Sequence, residues 1–208
     1  MVGAMLLTVA SLKGGTGKST IAVNLACVFA VPVVDADAQG TASAYGAPGG
    51  LPIEVLSLPL ERERDASRWI SKVLAIENAV IDCPPHLRTV TEAAVTLADL
   101  VVIPCTASAA DLMATAGAVE LVHRAREARP DNGPGCLIVP SRIDQRTSAG
   151  REIEGALKQF GEKVGPAIGQ RTVFVDAFAA GQWVGEYARR SKAAAEVSAL
   201  SRAIKRML

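Results

Sequence analysis

The sequence predicts an α/β fold in which a doubly wound, mostly parallel sheet carries helices on both faces. Three observations support that expectation. Apolar runs of strand length alternate with longer helical patterns along the 208 residues. Most of those runs are apolar throughout, as expected for strands buried on both faces of a parallel sheet. Aromatic content is only 4% and alanine is abundant, which suits closely packed helix and sheet layers.

Each element follows in order. The run MLLTVA (5–10) reads as the first strand, and a helical pattern at 18–29 follows it across a glycine-rich loop. VPVV (31–34) comes almost directly after Phe29, so the first helix or its following turn is expected to be shortened. IEVLSL (53–58) is the third strand, after GAPGGLP (46–52), a Gly/Pro-rich loop and not a domain boundary. Strands at 78–82, 100–104 and 136–140 then alternate with helices at 65–76, 88–98, 109–128 and 147–160. In the tail, Val197, Leu200, Ile204 and Met207 recur at steps of 3, 4 and 3, one helical stripe. Repeats, low-complexity tracts and long linkers are absent from the sequence, so residues 1–208 are expected to form a single domain.

Bulk composition gives no functional direction. Lys plus Arg number 22 against 21 Asp plus Glu, a formal charge of +1, so binding to nucleic acid or a membrane would need local clusters. Cys27, Cys83, Cys105 and Cys136 form no CxxC pair and lie in or beside apolar runs, as buried thiols in a reducing cytosol do. The N-terminal apolar run lacks a basic leader, and no apolar stretch reaches the ~18 residues of a membrane span. A cytoplasmic location is the expectation.

The chemistry concentrates in SLKGGTGKST (11–20). Gly14, Gly15 and Gly17 would let successive N–H groups converge on phosphates, with the following helix directing its positive end at the same point. Lys18 would reach the β- and γ-phosphates, Ser19 would bind Mg²⁺, and Thr20 would lie near the α-phosphate. The first glycine of the common G-x-x-x-x-G-K-[ST] pattern is replaced by Leu12. Two acidic stations follow. Asp35 and Asp37, in VVDADAQG, alternate onto one side if the strand continues, at the carboxyl end where ligands lie. Asp82 caps the apolar run AVID, where it is placed to hold Mg²⁺ through water.

KGGTGKST resembles the deviant Walker A motif, K-G-G-x-G-K-[ST], of the ParA/MinD group of P-loop ATPases, and is closest to the small ParA-type partition ATPases. VVDADAQG resembles the family's D-x-D-P-Q motif with Ala38 in place of proline, and AVIDCPPH its Walker B motif. The resemblance implies binding of ATP and Mg²⁺ by Lys13, Gly14, Gly15, Thr16, Gly17, Lys18, Ser19 and Thr20. It gives Lys13 a role in a nucleotide-sandwiched homodimer, reaching phosphates held by the other subunit, and Asp37 a role in positioning or activating the attacking water. Asp35 would lie near the metal with Ser19 and Asp82. VPSRID (139–144) falls where the base is received, with Arg142 a candidate contact and the asparagine of relatives missing.

The family splits by the surface bound. The resemblance implies ATP-dependent, non-specific DNA binding, nucleoid association and slow hydrolysis stimulated by a ParB-like or other cargo-binding protein. The candidate DNA residues are Arg189, Arg190, Lys192, Arg202, Lys205 and Arg206. A MinD-like membrane-associated ATPase is the alternative. The tail stripe lacks Phe and Trp anchors, which favours a docked helix over membrane insertion. A metabolic P-loop ligase is a third, more remote possibility, without a visible substrate constellation.

Overall fold

The computed structural model describes residues 5–86 and 88–208. The fully apolar runs assemble into the centre of a seven-stranded sheet in which every pairing is parallel. Its strands are β1 (Met5–Val9), β2 (Val33–Asp35), β3 (Val55–Ser57), β4 (Asn78–Asp82), β5 (Leu100–Cys105), β6 (Gly135–Pro140) and β7 (Lys163–Val164). Their spatial order is β3-β2-β4-β1-β5-β6-β7. β1 lies at the centre, so the glycine loop leaves the middle of the sheet at its carboxyl edge, the edge where open α/β sheets bind ligands.

The side chains of each strand alternate between two apolar layers. Leu6 joins Trp69, Ile81 and Ile103 on one face, whereas Leu7 and Val9 join Leu25, Tyr45 and Leu200 on the other. Helices α3 (Ala66–Leu74), α4 (Thr89–Leu97), α5 (Ala109–Ala128) and α6 (Ser148–Lys158) cover the first face. The second is covered by α1 (Lys18–Phe29), α2 (Thr41–Gly46), α7 (Thr172–Ala179), α8 (Val184–Tyr187) and α9 (Lys192–Lys205). The doubly wound arrangement expected from the sequence is the one observed.

Several details differ from the sequence expectation, each for a local reason. The first helix keeps its full span, 18–29, and only its turn is short. Ala30 sits in the left-handed region at φ 55°, and the N–H of Val31 bonds back to the Ala26 carbonyl at 3.1 Å. That closure is usually made by glycine. The helix expected at 65–76 is α3 alone, entered through a single 3₁₀ turn at Glu63–Asp65. α2 was not expected: six residues are too few to show a helical period. β7 is only two residues long and is a strand by virtue of its pairing with Leu137 and Ile138.

The tail stripe docks. Val197, Leu200 and Ile204 are buried in the layer that holds α1, and Met207 packs on the same cluster. Burying each of the first three contributes roughly 1.5–3 kcal/mol, so α9 and α1 support one another. All four cysteines are buried free thiols.

Candidate nucleotide-binding site

The loop between β1 and α1 is shaped by two left-handed glycines, Gly15 at φ 78° and Gly17 at φ 90°. Gly17 is the N-cap of α1 and brings no side chain to the helix end, so the first-turn N–H groups are left for a ligand. The loop is braced from the exit of β6. The Ser141 hydroxyl donates to the Thr16 carbonyl at 2.7 Å, and the Arg142 guanidinium donates to the Gly15 carbonyl at 2.8 Å. A Cβ on Gly17 would come within 3.0 Å of the Ser141 oxygen, so the brace itself also requires glycine there. Arg142, expected as a base contact, is thus tied to the loop backbone.

The two lysines are held differently. Lys18 is buried, and its ammonium donates to the Lys13 carbonyl at 3.0 Å. Burial lowers its pKa, with Asp82 and Asp37 offsetting part of the effect. The Lys13 side chain is 41% exposed and reaches across to Asp111, 3.1 Å from Oδ2. Asp111 lies in the first turn of α5, where Ser108 is the N-cap, and also accepts bonds from the Thr106 and Ser108 hydroxyls. Burial alone would raise the Asp111 carboxyl. The hydrogen bonds from Ser108 and Thr106, with the Lys13 ammonium, outweigh it and hold the group below its ordinary value.

Three carboxylates at or just past the ends of β2 and β4 stand in unlike environments. Asp82, at the end of β4, is fully buried, and neither of its oxygens has a hydrogen-bond partner. Burial pushes its carboxyl up to about 7; Ser19 and Lys18 lower it in part, while Asp35 and Asp37 add repulsion. Asp35 lies directly across from Asp82 in the β2–β4 register. Its Oδ2 accepts from the Ser43 N–H and hydroxyl, each at 2.7 Å, and its Oδ1 from the Asp37 N–H at 3.2 Å. Asp35 therefore caps the first turn of α2. Asp37 is half-buried, has one oxygen on the Gln39 N–H at 3.0 Å, and lines the cleft above the loop.

That cleft encloses about 510 Å³ and runs from the loop and Asp37 to Gly169–Thr172 and the apolar side of α7. A second opening of about 410 Å³ lies on the Lys13 side, against Asp111 and Thr147. Among the described residues, no group of three or more His, Cys, Asp or Glu side chains forms a metal cage. The orphaned Asp82 carboxylate beside Ser19 fits a divalent cation only in company with phosphate oxygens, which is the Mg²⁺ chemistry of a nucleotide site. The six basic residues singled out near the C-terminus are all exposed. Of these, Lys205 lies 5.6 Å from the Phe29 ring centroid, and Arg202 donates to the Ser198 hydroxyl at 2.7 Å.

Sequence reasoning gave no site role to Asp111, Ser43 or residues 168–172. Only Asp111 had a local signal: Ser108-x-x-Asp111 is a helix-start pattern, although it does not say which cation the aspartate would meet.

A glycine loop joining a central parallel strand to a helix, with Lys18, Ser19 and an unpartnered strand-end aspartate around it, defines a P-loop nucleotide-binding protein. The chain belongs to the CobQ/CobB/MinD/ParA nucleotide-binding family, whose domain model matches residues 7–184. The ParA/MinD group of this family consists of ATPases. Two relatives are named maintenance of carboxysome distribution protein A. The one from Gloeobacter kilaueensis is 34% identical over 197 residues, covering 87% of this chain and 86% of the relative. The one from Halothiobacillus neapolitanus is 28% identical, covering 93% and 92%. The chromosome partitioning protein ParA of Caulobacter vibrioides is 28% identical, with 82% of each chain covered. Among solved structures, an ATP complex of McdA from Cyanothece superposes with a TM-score of 0.76 at 17% identity, covering 99% of this chain and 96% of the other. MinD of Pyrococcus horikoshii with Mg-ADP gives 0.77 at 18%, covering 98% and 96%. Both share the fold.

Proposed function

We propose that this chain is a ParA-type ATPase that forms an ATP-sandwich homodimer, binds DNA non-specifically and hydrolyses ATP to position a cargo. The observation that carries the reading is Lys13. It stands beside the loop, half-exposed and held by a single aspartate, free to exchange that partner for a phosphate of a facing subunit. A second cation there would offset charge developing on the transferred phosphoryl group, as a residue supplied in trans does. The named functions of the relatives, carboxysome distribution and chromosome partitioning, support cargo positioning as the class.

In this scheme the backbone of Gly14–Gly17 and the Lys18 ammonium bind the β- and γ-phosphates, and Thr20 flanks the α-phosphate. Asp37, half-buried at the cleft, orients the attacking water and receives its proton. Ser19 and Asp82 are the residues to hold Mg²⁺, which when bound would neutralise phosphate charge. Asp35 acts on the metal side through position, holding α2 beside Asp82, and Arg142 holds the loop in shape. The single-domain reading of the chain is supported by the packing of α9 on α1.

The exposed basic residues Arg189, Arg190, Lys192, Arg202, Lys205 and Arg206 form the DNA-facing surface. Dimerisation doubles it, so two weak clusters engage a duplex only in the ATP state. A ParB-like or other cargo-bound activator triggers hydrolysis, and the protein works in the cytoplasm on the nucleoid. A membrane-binding tail of the MinD type has less support. The α9 stripe is buried against the body, and no helix among the described residues is long and apolar enough to cross a membrane.

The test is ATP-dependent DNA binding and sizing of the wild type and Lys13→Ala. The wild type is expected to dimerise and to bind DNA only with ATP, and the variant to do neither. DNA affinity indifferent both to nucleotide and to Lys13 would refute the proposal.

A further inference from the structure

The far wall of the nucleotide cleft is a short segment, 168–171, outside any named helix or strand, that runs into Thr172 at the start of α7. It is stitched to the exit of β6: Ile168 N–H donates to Pro140 at 2.8 Å, Ile143 N–H to Ile168 at 3.0 Å, and Gln170 N–H to Ile143 at 3.0 Å. Gly169, Gln170, Arg171 and Thr172 then face the cavity. With phosphates at Gly14–Thr20, the remainder of a nucleotide has to extend from the braced loop towards this wall.

From behind, the wall is held by one side chain of α9. Glu196 accepts the Gly169 N–H at 3.1 Å and the Arg171 Nε at 3.1 and 3.0 Å, and it also pairs with Arg171 Nη2. Both carboxylate oxygens are therefore filled by two residues of the wall. The guanidinium lies so close over the backbone that a Cβ on Gly169 would come 2.9 Å from Arg171 Nη2. Arg171, although it lines the cleft, is committed to Glu196 by a charge-assisted fork. The same helix buries Val197, Leu200 and Ile204 in the layer that holds α1. α9 thus touches both sides of the cleft, the helix that starts at the phosphate loop and the wall opposite.

We propose that Glu196 is a positioning residue for nucleotide binding: through Arg171 and the Gly169 amide it sets the wall against which the nucleoside part of the ligand lies. Lys192, a residue of the exposed basic surface, stands one helical turn before it on α9. A ligand drawn to that surface and a nucleotide in the cleft consequently act on one rigid element, and coupling between such sites is reciprocal. The assignment rests on the nucleotide reading above.

The experiment compares ATP with inorganic tripolyphosphate, both with Mg²⁺, as ligands of the full chain carrying Glu196→Gln or Arg171→Ala. Tripolyphosphate needs only the loop, whereas ATP needs loop and wall. ATP binding is expected to weaken about tenfold in either variant, a loss of roughly 1.4 kcal/mol, with tripolyphosphate affinity unchanged. The double variant should lose no more than either single one, because both remove the same fork. Melting temperatures should fall by no more than about 4 °C, since the pair is partly exposed. An equal loss for both ligands, or no loss for ATP, overturns the assignment. Failure of the wild type to bind ATP at all would instead overturn the nucleotide reading.

Discussion

The unpartnered Asp82 carboxylate makes a quantitative prediction about the nucleotide-free protein. Replacing it with the near-isosteric Asn removes a charge that burial disfavours. The Asp82 carboxyl is pushed from 3.8 up to about 7 in the fold. A carboxyl raised in the native state makes the fold bind more protons than the unfolded chain between those two values, so stability falls as pH rises through the window. Three units correspond to about 4 kcal/mol in total, of which roughly 3 kcal/mol is lost between pH 5 and pH 8. Asp82→Asn abolishes this slope. The assay is urea unfolding of both proteins without nucleotide at pH 5, 6, 7 and 8. The variant is expected to gain on the wild type as pH rises from 5 to about 7, to level off above that, and to be the more stable protein at pH 8. Part of the gain is withheld because the buried amide also lacks partners, which costs about 1–3 kcal/mol. Addition of Mg-ATP should reverse the order, since only the wild type keeps the carboxylate. A stability difference that does not change with pH would refute the reasoning.

Three further predictions concern other parts of the molecule. Asp111→Asn keeps an acceptor for Thr106 and Ser108 but releases the Lys13 ammonium. The ATP concentration for half-maximal dimerisation, followed by light scattering, should fall about 2–5-fold, the scale of a half-exposed ion pair; a rise would mean that Asp111 prepares Lys13 instead of restraining it. Ala30→Gly relieves a left-handed alanine at φ 55°. After the added freedom of the unfolded chain is subtracted, it should stabilise the protein by about 0.5–1 kcal/mol in urea unfolding. Leu200→Ala, at a position only 1% exposed, should cost about 2–5 kcal/mol. A cost under about 1 kcal/mol would show that α9 is not docked in solution.

Much of the site could be read from the sequence because its parts are contiguous or sit at strand ends. Lys18, Ser19 and the glycines occupy one stretch, and Asp82 ends an apolar run of strand length. Asp35 and Asp37 were likewise placed by a strand end, and the resemblance gave them separate roles, but the hold of Asp35 on α2 was not visible. It depends on Ser43, in a helix of one and a half turns that no periodicity announces. The partner of Lys13 is remote in sequence, and only the order of β1 beside β5 brings Asp111 next to it. The same holds for Glu196 and the 168–172 wall. The short turn after α1 was anticipated, yet its solution was not, because an alanine gives no signal of a left-handed backbone.

The braces on the loop have a consequence for how affinity can change. Thr16 and Gly15 already have their carbonyls bonded to Ser141 and Arg142, so part of the phosphate cradle is held in place before any ligand arrives. Binding then orders little new backbone, and a preorganised receptor discriminates through what lies outside its rigid part. Variation in nucleotide preference among chains built this way should therefore accumulate in the outer wall and in α7, while the loop itself stays fixed.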